Sequence, residues 1–102
     1  MIYLGELHSP FLMEIVAYTT SNCKYCTNLV LLFERAGVDY KKIKVQDRSS
    51  EANTISTAEF KSLYPDAVGY PYVLIDGVHI GGLVETAKMF LEKGLVTTSK
   101  NG

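Results

Sequence analysis

Only two cysteines occur in the 102 residues, Cys23 and Cys26. That scarcity excludes a disulfide-dense secreted scaffold, and 47% hydrophobic residues suffice for one packed core without staples. An excess of either charge is also missing: ten basic residues face eleven acidic ones, a formal net charge of −1. Such balance leaves no electrostatic footprint for nucleic acid or an anionic membrane surface. No apolar run approaches the roughly 20 residues of a membrane span. The opening residues Met1 to His8 carry Glu6 and no basic cluster, so they do not read as a secretory signal. Repeats and low-complexity segments are absent too. What remains is one domain over residues 1–102, expected in the cytoplasm, with Met1 to Leu12 as an extension of no assigned role and 96–102 as a frayed tail. In that compartment a lone cysteine pair is catalytic or metal-binding before it is a structural cross-link.

Periodicity supplies the elements. Met13 to Thr19 is short, apolar and β-branched, and it ends at a polar stretch, so it reads as a strand. From Lys24 to Ala36 the residues Cys26, Leu29, Val30, Phe33 and Ala36 recur at three- and four-residue steps, which predicts a helix with one buried stripe. Ser21 or Asn22 is expected to cap it, and Gly37 to stop it. Val38 to Val45 reads as a strand with Tyr40, Ile43 and Val45 inward, and Gln46 to Thr54 as a loop. Ser56 or Thr57 starts a short helix whose inner face is Phe60, Leu63 and Tyr64, ended by Pro65. Tyr72 to Ile75 and Val78 to Ile80 flank Asp76-Gly77, a strong hairpin signal. Gly81-Gly82 breaks the second strand, and Leu83 to Lys93 is a last helix with Leu83, Ala87, Phe90 and Leu91 inward. The order β-α-β-α-β-β-α implies an α/β, thioredoxin-like domain: a four-stranded mixed sheet flanked by three helices.

Cys23-Lys24-Tyr25-Cys26 falls where the first strand hands over to the first helix. Unpaired N–H groups and the positive end of the helix dipole favour an anion there, so a thiolate forms readily and attacks. Two intervening residues let the second sulfur return within disulfide range, and Cys26, a turn deeper, is expected to be less exposed. A zinc site wants four ligands, yet only His8 and His79 could join the pair, at spacings that fit no common zinc pattern; no metal is expected. Tyr70-Pro71, before the hairpin, is either a simple strand-edge feature or a cis turn offering backbone groups to an extended thiol peptide. Gly81-Gly82 either just turns the chain or bares helix N–H groups to a carboxylate.

Cys23-x-Tyr25-Cys26, the Pro71 turn and Ile75-Asp76-Gly77-Val78-His79-Ile80-Gly81-Gly82 together resemble the glutaredoxin family, from Met13 to Leu95. The resemblance implies glutathione-dependent reduction of protein disulfides and glutathione mixed disulfides, with Cys23 as nucleophile and Cys26 as resolving thiol. It places glutathione against Tyr25, the Tyr70 backbone beside Pro71, and Gly82, Leu83 and Val84. It also implies a monomer serving disulfide-bearing clients, ribonucleotide reductase among the family's. Several positions depart from the family pattern. Thr20 stands where a lysine is usual, Lys24 where proline is frequent, Tyr70 in place of valine, and Val84 where an acid is common. Thr20 and Lys24 are therefore expected at the glutathione groove with thinner charged contacts, and Lys61 is the other candidate cation. Two alternatives share the fold: an electron donor reduced by thioredoxin reductase, and a carrier in which Cys23 and glutathione hold an iron–sulfur cluster between subunits. Thioredoxin itself is disfavoured, because the chain has no Trp and the pair encloses Lys-Tyr.

Overall fold

The computed structural model describes residues 13–48 and 51–96, so the extension 1–12 and all of the tail beyond Val96 lie outside the described residues. The chain runs β1 (Ile15–Thr19), α1 (Lys24–Ala36), β2 (Lys41–Val45), β3 (Thr54–Ile55), α2 (Thr57–Leu63), β4 (Tyr72–Ile75), β5 (Val78–Gly81) and α3 (Leu83–Glu92). These strands form one sheet in the order β3-β2-β1-β4-β5. β1 lies central, parallel to β2 through Val16↔Lys41 to Thr19↔Lys44, and antiparallel to β4 through Ile15↔Ile75 to Tyr18↔Tyr72. Among the described residues the sheet thus has five strands, not four. β3 escapes pattern reading because it is two residues long; its register to β2 is held by backbone bonds from the Lys44 N–H to the Asn53 carbonyl and from the Gln46 N–H to the Ile55 carbonyl, both 2.9 Å.

Each strand sends alternate side chains to opposite faces, and both faces are covered. On one, Ile15, Ala17, Val73 and Ile75 pack against Leu29 and Phe33 of α1 and Phe90 of α3. Leu95 and Val96 close over the same core. On the other, Tyr18, Val45 and Tyr72 meet Phe60 of α2 and Ala67. The Tyr18 ring lies 5.2 Å from those of Phe60 and Tyr64, and its hydroxyl shares a 3.2 Å hydrogen bond with that of Tyr64. Burial, then that bond, pushes the Tyr18 hydroxyl well above its usual pKa. Two expected core positions differ. Leu63 is 53% exposed, since Phe60 alone is buried in the seven-residue α2. Leu91 is 40% exposed, while Thr86, set between Leu83 and Phe90 in the helical repeat, takes a buried place in α3.

Turn chemistry fixes the connections. Asp76 and Gly77 have φ of 53° and 81°, the paired left-handed conformations of a type I′ hairpin. The Asp76 carboxylate accepts the Glu14 N–H at 3.0 Å, and the Asp76 N–H donates to the Glu14 carbonyl at 2.8 Å, tying the hairpin to the start of β1. The Gly37 N–H closes α1 on the carbonyls of Phe33 and Glu34. Ser56 caps α2, its hydroxyl accepting the Glu59 N–H at 3.0 Å.

Candidate active site

Cys23 itself, rather than Ser21 or Asn22, is the N-cap of α1. Its extended backbone (φ −114°, ψ 105°) aims Sγ at the first turn, where it accepts the Cys26 N–H at 3.1 Å. Asn22, at φ 55°, makes the bend that sets this direction. The Thr27 N–H and hydroxyl both bond the Cys23 carbonyl, at 3.1 and 3.3 Å, so the first turn is pinned on both sides of the cysteine. A cap sulfur receiving a backbone N–H, at the positive end of a 13-residue helix with no acid in its first turn, favours the thiolate. Cys23 and Cys26 are joined as a disulfide with their Cα atoms 5.2 Å apart. Cys26 is buried beneath the half-buried Cys23.

The Pro71 turn lies beside this site because antiparallel pairing sets Tyr72, at the start of β4, against Tyr18, near the end of β1. Tyr70–Pro71 is cis. Behind the turn the Tyr70 ring rests 5.2 Å from that of Phe60; burial and then the Asp47 charge raise the pKa of its hydroxyl. Gly82, the N-cap of α3, abuts the turn closely: a Cβ there would sit 3.3 Å from the Pro71 carbonyl oxygen. Gly81 has φ +135°, and a Cβ on it would fall 2.7 Å from the Glu85 side chain. Gly81 is thus demanded by close approach and by its φ, while at Gly82 a side chain would press on the turn. The Glu85 carboxylate accepts the Gly82 N–H at 2.9 Å, and this bond holds its carboxyl below the usual carboxylate range. Leu83 and Val84, in the first turn of α3, have N–H groups with no carbonyl a turn earlier to bond.

The expected contact residues divide into groups. Thr20 and Lys24 line, with Cys23 and Cys26, a cavity of about 640 Å³ beside the first turn of α1. The Thr20 hydroxyl is engaged, donating to the Val45 carbonyl at 3.3 Å. Tyr25, 63% exposed, stands outside that cavity. Lys61 reaches the Ala67 carbonyl at 3.5 Å. The side chains of Leu83 and Val84 border a different, apolar groove between α1 and α3 with Leu31 and Leu91. Lys42 and Lys44 of β2 line the cysteine cavity and were not expected there. The signal was available: with Ile43 and Val45 inward toward α2, alternation puts Lys42 and Lys44 on the α1 face. Among the described residues no group of three or more His, Cys, Asp or Glu is placed to hold a metal, and no helix is long and apolar enough to cross a membrane.

Comparison with known proteins agrees with this geometry. The family profile described as Glutaredoxin matches residues 15–80. Glutaredoxin 1 of Rickettsia bellii is 32% identical over 76 residues, 74% of this chain and 76% of that protein. Glutaredoxin-C6 of Oryza sativa is 33% identical over 82 residues, 80% of this chain and 70% of its own length. Among solved structures, glutaredoxin 1 from Francisella tularensis, complexed with cacodylate, superposes with a TM-score of 0.61 at 24% identity, covering 81% of this chain and 96% of its own. The buckwheat glutaredoxin–glutathione complex gives 0.59 at 26% identity, covering 79% and 71%.

Proposed function

Since the chain belongs to the glutaredoxin family and is a thiol–disulfide oxidoreductase, we propose that its electrons come from glutathione and that it reduces protein disulfides and glutathione mixed disulfides. The observation that carries this reading is the unequal cysteine pair: a half-buried cap sulfur receiving an N–H, bonded to a buried partner. Cys23, as thiolate, attacks one sulfur of the target disulfide, and the other sulfur leaves as a thiolate that takes up a proton. Cys26 then attacks Cys23, releasing the bound thiol and closing the protein disulfide, so two electrons pass from the dithiol to the client. Two glutathione molecules restore the dithiol and leave as glutathione disulfide. For a glutathione mixed disulfide Cys23 alone suffices, because a second glutathione can resolve the intermediate.

In this reading glutathione lies against the Pro71 turn and the start of α3, which meet closely. The Tyr70 backbone lies at that turn, and the first-turn N–H groups of Leu83 and Val84 face a carboxylate's needs. The Gly82 N–H is already given to Glu85, so the γ-glutamyl carboxylate has fewer donors here than a bare helix start provides. A monomer working in the cytoplasm, where glutathione is plentiful, completes the reading.

A coupled assay with glutathione and glutathione reductase, run beside one with thioredoxin reductase, tests it. Turnover of a glutathionylated substrate is expected only in the first. Cys23→Ser should abolish all activity, whereas Cys26→Ser should keep mixed-disulfide turnover and lose protein-disulfide reduction. Activity with thioredoxin reductase alone would move the reductant assignment to that enzyme.

A further inference from the structure

We propose that Lys42 and Lys44, together with Lys24, form a carboxylate-binding subsite that selects client proteins with acidic residues flanking the target cysteine. The inference rests on the thiol–disulfide reading above and extends it to the client side. In the parallel register Lys42 lies beside Ala17 and Lys44 beside Thr19, so both stems rise from the α1 face of the sheet toward the cysteines. There they line the cavity of about 640 Å³ that also holds Cys23, Cys26 and Lys24, and no Asp or Glu lines it. Among the described residues none of the three lysine ammonium groups has a hydrogen-bond or ion-pair partner. Three uncompensated cations in one concavity, on a chain whose net charge is −1, make a local field that attracts an anion.

Position decides which anion. Of the positions where glutathione is expected, Thr20 and Lys24 line this cavity while Tyr70, Pro71, Gly82, Leu83 and Val84 do not, so the cavity runs from the edge of the glutathione groove to another flank of Cys23. A client whose sulfur is attacked by Cys23 must extend chain past the site, and each residue spans roughly 3.3–3.6 Å. An Asp or Glu one to three residues from the client cysteine therefore comes within reach of the lysine stems. These lysines touch neither sulfur; they bind and position the client while Cys23 attacks, the displaced thiolate takes a proton, and Cys26 closes the protein disulfide.

The test uses the reduced full chain in single turnovers against peptides whose cysteine is disulfide-bonded to 2-mercaptoethanol, with acidic or neutral flanks. No glutathione is needed, so failure of the glutathione assignment, read in the coupled assay, stays separate from failure here. The acidic peptide should react roughly three- to tenfold faster than the neutral one at low salt, and the ratio should shrink as ionic strength rises. Lys42→Glu with Lys44→Glu should bring the ratio to one or below, and the milder Lys42→Gln with Lys44→Gln should lower it part of the way. The salt titration needs no variant, so it decides the matter even if the reversed pair folds poorly. A wild-type ratio near one, or a ratio the variants do not move, overturns the proposal. So does an equal slowing of the glutathione–mercaptoethanol disulfide in the variants, since the lysines would then be serving glutathione.

Discussion

Cys23 ends one peptide segment, caps the next and carries the reactive sulfur. The N–H that reaches its Sγ comes from Cys26, the residue that resolves the intermediate. One short loop therefore both steadies a thiolate and holds its successor within range. The two sulfurs should titrate apart, Cys23 below the reference thiol value of about 8.5 and Cys26 above Cys23. Iodoacetamide labelling of the reduced protein near pH 6, followed by peptide mapping, should find Cys23 modified first; the reverse order would undo the assignment of roles. Thr20 and Val84 bear on glutathione. Thr20→Lys gives up a hydroxyl bond to Val45 worth about 0.5–1.5 kcal/mol of stability but supplies a cation beside Cys23. Val84 is 71% exposed on the first turn of α3, where Val84→Asp also complements the helix dipole by about 0.3–1 kcal/mol. Each change should lower the Michaelis constant for a glutathionylated substrate, up to about tenfold for an ion-assisted bond. Constants that stay put would place glutathione elsewhere.

At the scale of elements, the start of α3 depends on one carboxylate. Glu85 accepts the Gly82 N–H, so its folded pKa is depressed, and its contribution is present above the unfolded value of about 4.3 and lost as pH falls through the lower folded value. Urea unfolding of Glu85→Gln should therefore show a deficit against the wild type at pH 7 that narrows toward pH 3. A constant gap would mean that the charge is irrelevant to the cap. Elements such as this one were legible in the sequence wherever chemistry is local. Gly37, Ser56 and Asp76-Gly77 punctuate the chain through their own backbone preferences, and Cys23 and Cys26 announce their junction by spacing. What escaped depends on distant partners. β3 exists because Asn53 and Ile55 find β2. The buried place of Thr86 follows from α1 and α3 meeting over one core. Lys42 and Lys44 were legible as an alternation, but only the register of β1 against β2 carries them to the cysteines.

Over the whole molecule, the sheet separates two aromatic cores with different relations to the site. Phe33, Phe60 and Phe90 are all fully buried, so Phe33→Ala and Phe60→Ala should each cost about 3–5 kcal/mol in chemical denaturation. Their catalytic effects should diverge. The rings of Tyr70 and Tyr72 lie 5.2 and 5.5 Å from that of Phe60, so its loss loosens the floor of the Pro71 turn and should raise the Michaelis constant. Phe33 touches Tyr40 and Phe90, away from that turn, and its loss should leave the constant near wild type wherever the variant is folded. Equal rises in both would point to a general loosening. The cap sulfur of Cys23 has a consequence of its own. A thiolate is a far stronger acceptor than a disulfide sulfur, so the Cys26 N–H should be held harder in the reduced protein than in the oxidised one. Amide hydrogen exchange at Cys26 should then slow on reduction, and the fraying of one helical turn becomes a gauge of how many electrons the protein carries.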